Sequence, residues 1–527
     1  MPSLSQRVRA VAYAHKFPAV PQWKRGMIIA GVLVFAALTG IVAARGQQIG
    51  FTSFIPNGFF FLNPNGASQT YSTINGGIDE TGPFFQSLGT NGRTCGSCHQ
   101  PNDGMGISAV DVQARFFQTQ GTDPIFAPVD GANCNQNIDV STLAEKTAAY
   151  SLLLTRGLIR IALAVPANAN YVVTSVNNPY GCNATNTISM YRRPLPATNL
   201  RFLSAVMVDG RESSAATGTT KILYSNYPSS LLSDLTHQAM DATNTHAQAS
   251  PPLTISDPRL PPIVNFEMGL TTAQAFGFTT GPLNVLGATG GPLGILNQPF
   301  FISINSSIDP LVPALAPEQP GGLVTPGDGQ FTPDIFDTFN AWANLPQFDP
   351  RASVARGQAL FNSLPINITG VAGINDPGGL VPGGIPSLTG TCGTCHDTPN
   401  VGNHSFPTPL DIGTGDPSSG NASMNLGGLD ISYLPSITVC KVDPVTGSPT
   451  SDCKTTTDLG QALIDGNFDH VGKIKGPILR GLSARAPYFH NGSARTLLDV
   501  VRFYETRFGL VLTPQEESDL VAFLSAL

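Results

Sequence analysis

Two stretches of this chain constrain it more than any other. They are Thr94-Cys95-Gly96-Ser97-Cys98-His99 and, roughly 300 residues later, Thr391-Cys392-Gly393-Thr394-Cys395-His396. Each contains Cys-x-x-Cys-His, the pattern that fastens a c-type haem to a protein. Two thiols at this spacing form thioethers to the two vinyl groups of one porphyrin, and the adjacent histidine reaches the iron. A redox dithiol or half a zinc site also uses Cys-x-x-Cys. A dithiol does not need the histidine, however, and a zinc site needs further Cys or His pairs nearby, which neither copy has. The two copies therefore predict two covalently bound haem c groups. Cys95 and Cys98 hold one, with His99 as iron ligand. Cys392 and Cys395 hold the other, with His396.

The rest of the composition suits domains partly filled by porphyrin. At 527 residues the chain is long enough for two or three domains with a sizeable core. Charged residues are only 12%, and the 55 Gly and 44 Pro predict long ordered loops around a modest helical scaffold. The net charge of -7 gives no support for nucleic-acid binding. The remaining cysteines come as one pair in each half, which predicts the disulfides Cys134–Cys182 and Cys440–Cys453 and an oxidising compartment.

Residues 1–46 read as a basic segment followed by a transmembrane anchor or signal helix. The apolar run at residues 26–44 follows Lys24-Arg25, and its 19 residues are just enough to span a bilayer. The basic flank keeps the N-terminus cytoplasmic. Val42-Ala43-Ala44 offers a signal-peptidase site. Both outcomes put the haems outside the cytoplasmic membrane: anchored on its periplasmic side, or periplasmic or secreted after cleavage. Residues 47–340 then read as an N-terminal haem domain with insertions and 341–527 as a C-terminal one. The Pro/Gly-rich residues 307–330 read as a linker or long surface loop. The expected fold is mainly α: two cytochrome c-like domains with long Gly/Pro-rich loops. Helices are expected at three places. Over 141–165, Leu152, Leu153, Leu154, Leu158, Ile159, Ile161 and Leu163 give a dense apolar face. From Thr332 to Trp342, Pro333 suits a first turn. Near the C-terminus, Thr513-Pro514-Gln515-Glu516 makes a capping box.

Several segments resemble bacterial di-haem cytochrome c peroxidases and the related MauG enzymes. Val208-Asp209-Gly210-Arg211 resembles their W-D-G-R segment, whose tryptophan lies between the haems and assists electron transfer; here Val208 takes that place. The longest match is Ala486-Pro487-Tyr488-Phe489-His490-Asn491-Gly492-Ser493, followed by Thr496-Leu497. Beyond it, Tyr504 falls where the peroxidases place a methionine ligand of the second haem. MauG-type proteins use tyrosine there, and a phenolate lowers the potential. His490 is the alternative ligand. In residues 235–249, Gln238 matches a family glutamine, and Gln248 falls on the position of the catalytic glutamate.

A peroxidase needs an acid–base group above the haem, to move a proton from one peroxide oxygen to the other. His246 and Glu267 are the candidates, with Gln238 beside them. A sixth ligand of the first haem could instead come from Met105, His237, His246 or Met268. His404 reads as a loop residue.

The resemblance implies an exported di-haem oxidoreductase that reduces peroxide or activates oxygen at the first haem. Electrons would pass through the second haem from a redox partner such as a small cytochrome or a cupredoxin. The alternatives are a membrane-tethered electron-transfer cytochrome without catalytic activity and a di-haem oxygenase resembling the rubber oxygenases, which share the H-N-G-S element. Related enzymes often hold Ca2+ between the domains; no stretch of this sequence specifies it.

Overall fold

Strand pairing joins distant parts of this chain. The computed structural model describes residues 53–136, 138–215, 229–302, 304–305, 331–377, 383–405 and 409–527. Gly66–Ser72 pairs with Phe60–Asn63 on one side and Leu270–Gly277 on the other. Ile159–Ala164 pairs antiparallel with Thr187–Arg192. Ser436–Val442 lies between Pro449–Thr456 and Tyr171–Asn177, so one sheet draws strands from both halves. Ser53 to Leu527 forms one unit.

The structure is 29% helix and 20% strand, which overturns the mainly α expectation. The reason lies in stretches such as Ser436–Val442. Its β-branched residues alternate, burying Ile437 and Val439 on one face, and such a pattern fits a pleated sheet better than a helix. The helix expected over 141–165 is likewise broken. Leu143–Ala149 and Ser151–Arg156 are helical, Gly157 turns left-handed at φ 61, and Ile159–Ala164 is a strand. Dense apolar content there reports burial, and branching at Ile159 and Ile161 favours the sheet.

No long helix starts at Thr332; only Asn340–Trp342 forms a short turn. The backbone N–H groups of Phe336, Asp337 and Phe339 donate instead to side-chain oxygens of Asn362, Asn400 and Gln358, satisfying the chain without helical bonds. The expectation of a transmembrane helix gains no support. Among the described residues no helix is long and apolar enough to cross a membrane. Residues 26–44, and the expected linker 307–330, lie outside the described residues.

Other expectations hold. Pro514–Ser525 is helical, capped by Thr513 with Glu516 completing the box. Both disulfides form, and Cys440 and Cys453 face each other in the hairpin. The C-terminal helix packs on Pro350–Ser363 so closely that a Cβ on Gly357 would lie 1.9 Å from the Asp519 carbonyl oxygen, so only glycine fits. Around this contact Phe336, Trp342, Phe361 and Phe523 form a core against which Cys392 packs. A second core of Phe84, Leu231, Leu235, Leu260 and Ile263 packs against Cys95.

The strand Thr187–Arg192 ends in a buried ion-pair network. Arg192 donates Nε and Nη2 to the two Asp458 carboxylate oxygens at 2.6 and 2.7 Å, and Nη1 to Asp209. All three residues are buried. Replacing the arginine strips the buried Asp458 of its two-pronged partner and leaves Asp209 to Arg211 alone. Arg192→Met is expected to cost about 3–5 kcal/mol, read from urea unfolding of the haem-loaded protein. A loss within experimental error would mean the network is not needed for stability.

Candidate haem sites

Both Cys-x-x-Cys-His motifs fold by the same local rules. Thr94 and Thr391 cap short helical turns at Cys95–Ser97 and Cys392–Cys395. Their backbone N–H groups donate to Ser97 Oγ at 3.0 Å and Thr394 Oγ1 at 2.9 Å, so a hydroxyl at the third position closes each turn. The backbone N–H of His99 donates to the Cys95 carbonyl at 3.1 Å, and that of His396 to the Cys392 carbonyl at 3.0 Å.

Each imidazole then places Nδ1 on a carbonyl oxygen six residues ahead: Met105 at 3.3 Å and Gly402 at 2.7 Å. Both carbonyls belong to residues in the left-handed region, at φ 58 and φ 72, which turns the chain back over the ring. With Nδ1 committed, Nε2 is the nitrogen available to a metal. Burial brings both histidines down to about 4, so each is a neutral donor at neutral pH. None of Cys95, Cys98, Cys392 and Cys395 is in a disulfide, and burial raises the thiol pKa at all four.

A cavity of about 210 Å3 opens beside His99, Cys95 and Cys98. Helix Ser229–Thr245 contributes Gln238 to its wall, His246 follows at the helix's end, and helix Leu260–Gly269 contributes Glu267. Three sequence candidates thus meet around one space. His246 places Nδ1 on Asp130, whose carboxylate is also gripped by Arg93. Glu267 is 6% exposed, and its Oε2 has no hydrogen-bond partner among the described residues. Burial pushes its carboxyl up to about 8, so it is protonated at neutral pH.

Other candidates fall elsewhere. Gln248 is exposed, its carbonyl and amide oxygen accepting from Thr90 and Asn91, and it does not line the cavity. His237 places Nδ1 on Glu212 at 2.7 Å. Met105 is fully buried, and Met268 packs against the core under Cys95. Of the four alternative sixth ligands, only His246 lines the cavity.

The cavity's charge bears on what it can hold. Arg193, Lys475, Arg480 and Arg485 all line it, and none forms an ion pair with a carboxylate among the described residues. Burial lowers Lys475 to about 8, Arg480 to about 9 and the other two to about 10. Buried unpaired cations cost several kcal/mol each unless an anion joins them. A haem brings edge carboxylates, so the donor set fits it: thiols and imidazole on one side, guanidinium and ammonium groups on another.

Around the second motif the walls are aromatic and aliphatic. The ring of His396 lies 6.1 Å from that of Phe361. Tyr504, on helix Leu497–Phe508, stacks on Phe508 at 6.1 Å. Burial, with the Cys395 and Cys392 thiols nearby, pushes its hydroxyl above the usual phenol range. The structure therefore puts Tyr504 beside this motif. His490 sits apart, with Nε2 3.8 Å from Asp458 and Nδ1 3.5 Å from the Thr414 hydroxyl. His404 is a buried loop residue, 3.6 Å from Asp397. Among the described residues no group of three or more His, Cys, Asp or Glu is gathered to hold a metal ion. Sequence reasoning missed Asp130 and Lys475, and it marked Leu479-Arg480 only as part of the C-terminal match, because their contacts lie far apart in the chain.

No family model matches the chain. Over 81 residues it is 43% identical to cytochrome-c peroxidase IdrP1 of Denitromonas iodatirespirans, covering 13% of this chain and 22% of that protein. It is 38% identical over 81 residues to the IdrP1 of Pseudomonas sp. (strain SCT), covering 13% and 21%. With the IdrP2 of the same Pseudomonas it shares 36% over 101 residues, covering 18% and 27%. The chain thus spans about a fifth to a quarter of the length of the curated relatives it matches. In part of its length, the chain is similar to cytochrome-c peroxidases.

Proposed function

We propose that this protein is a di-haem c-type oxidoreductase of the peroxidase kind, reducing hydrogen peroxide at the site of His99. The observation that carries this reading is the meeting of Glu267, Gln238 and the His246–Asp130 pair with His99 around one cavity. A c-type haem held there supplies an iron that takes a small oxygen ligand and exchanges single electrons.

The chain's own residues handle the protons. Asp130 holds His246 through Nδ1, which leaves Nε2 to accept the first proton of the incoming peroxide. Glu267, protonated, gives its proton to the departing oxygen, which leaves as water. Gln238 offers an amide to hold the peroxide in place. Each peroxide consumes two electrons and two protons and yields two waters. A small cytochrome or cupredoxin is the kind of partner that delivers electrons singly, and the Cys392-Cys395-His396 site is the entry side. Covalent haem attachment and two disulfides suit a compartment outside the cytoplasm.

Ferric protein is expected to show a high-spin signal by electron paramagnetic resonance and to turn over peroxide with a reduced cytochrome. Two low-spin haems in every accessible redox state, inert to peroxide, would overturn the reading in favour of an electron carrier, with His246 as the sixth ligand. The wild-type rate should fall as pH rises through about 8, because Glu267 then loses the proton it donates. Glu267→Gln should lower kcat about 100-fold and remove that decline. A variant with wild-type kcat and pH profile would exclude Glu267 as the acid.

Tyr504 is the proposed second ligand of the other haem, as its place by Cys392 and Cys395 supports. Tyr504→Phe should change that haem's absorption spectrum and raise its potential. An unchanged spectrum would remove Tyr504 from the iron.

A further inference from the structure

The segment from Lys475 to Arg480 touches both haem sites. The backbone N–H of Lys475 donates to the Val208 carbonyl at 2.7 Å, and that of Leu479 to the Val401 carbonyl at 3.1 Å. Gly476 lies so close to the second motif's loop that an added Cβ would come within 2.9 Å of His404 Cβ and 3.8 Å of the Cys395 carbonyl oxygen. Lys475, Ile478 and Arg480 also line the cavity beside His99.

Arg480 spans the two sites with one side chain. It is 3% exposed, and its guanidinium lies 5.7 Å from the centre of the Phe336 ring. Nε donates to the Asn400 carbonyl at 2.8 Å, and Nη2 donates to the same oxygen. Asn400 belongs to the loop that ends at Gly402, whose carbonyl oxygen orients His396. Nη1 has no hydrogen-bond partner among the described residues. A buried charged donor in this state is strongly disfavoured unless an acceptor completes it.

We propose that Arg480 Nη1 binds an edge carboxylate of the first haem, making Arg480 a positioning residue that couples this haem to the ligand loop of the second. The proposal rests on the haem reading given above. A guanidinium is planar and rigid, so a displacement at Nη1 is carried to Nε and Nη2. Reduction of the first haem changes its charge and so the pull on Nη1. The change reaches the Asn400 carbonyl and, through its loop, the carbonyl on His396. The coupling is reciprocal. Lys475 supplies charge to the same cavity without this link, because among the described residues its ammonium donates to the Gly476 carbonyl, at 3.4 Å, and not to the second motif's loop.

The test uses haem-loaded full-length protein, with haem counted per chain and both potentials measured by spectroelectrochemical titration. Arg480→Met and Lys475→Met should each lower the first haem's potential, since each removes a positive charge beside it. Arg480→Met alone should abolish the dependence of the second haem's spectrum on the redox state of the first. Arg480→Lys should restore most of the potential but not the cross-effect, because an ammonium cannot reach both partners. An Arg480→Met protein with both haems attached, an unchanged first potential and an intact cross-effect would overturn the proposal. So would a wild type with no cross-effect. If Arg480→Met does not fold, an intact cross-effect in Arg480→Lys overturns it and a lost one supports it. A wild type that attaches no haem would instead sink the underlying haem reading.

Discussion

A single buried guanidinium, Arg192, ties its own strand to a stretch 17 residues on and to another 266 residues away, and each carries part of a candidate site. Its strand leads into the wall of the first cavity. Asp209 belongs to the segment whose neighbour Val208 accepts from Lys475. Asp458 belongs to the second half and lies 3.8 Å from His490. Taking these charges out of water is costly, and only good geometry offsets it. The planar fork of Arg192 supplies that geometry, meeting both oxygens of Asp458 and one of Asp209. Burial alone would raise Asp209, yet Arg211 and Arg192 outweigh it and hold the carboxyl at about 2. The network is therefore charged throughout the physiological range, and the two halves cannot move apart without exposing or stranding it. The shared sheet built on Ser436–Val442 adds a second constraint of the same sense.

How much of this was legible in the sequence depended on how local each signal is. The attachment motifs were readable because few other chemistries need two cysteines and a histidine at that spacing. The last helix was readable because Thr513, Pro514 and Glu516 act within one turn. The strands were not. At residues 159–164 the alternation of Ile159, Ile161 and Leu163 is too short to outweigh the dense apolar run before it, and its fate is decided by the partner strand Thr187–Arg192. The family's glutamate position, which the alignment lays on Gln248, falls outside the cavity for a related reason. Helix Ser229–Thr245 ends before it, and the backbone turns left-handed at φ 55, so a count of ten residues along a helix no longer holds.

Glu267 shows the limit from the other side. Its residue type marked it as a candidate, but type does not say whether a carboxyl is solvated. Only the packed structure places it in the cavity, with Oε2 unpartnered among the described residues and the carboxyl pushed up to about 8. Asp130 was invisible for the same reason, since it meets His246 across 116 residues of sequence. The similarity to cytochrome-c peroxidases covers too little of the chain to assign such residues, and the contacts themselves must carry the argument.

The two motifs share a proximal design: the same threonine cap, the same hydroxyl at the third position, the same carbonyl six residues ahead. Whatever separates their chemistry must therefore come from what surrounds them. Around His99 stand two groups able to move protons, together with cations that await anions. Around His396 stand Phe361, Tyr504, Phe508 and the aliphatic cluster of Ile366, Ile368, Val371 and Ile374, with the buried His404 and Asp397 on the loop beside it. Peroxide reduction moves protons with electrons and needs ionisable groups within reach. Passing single electrons needs neither, and an apolar wall that barely reorganises when charge changes favours it. The same Cys-x-x-Cys-His unit, used twice, is thus set in two different walls, and Arg192 ties the strand that enters the first of them to the second half of the chain.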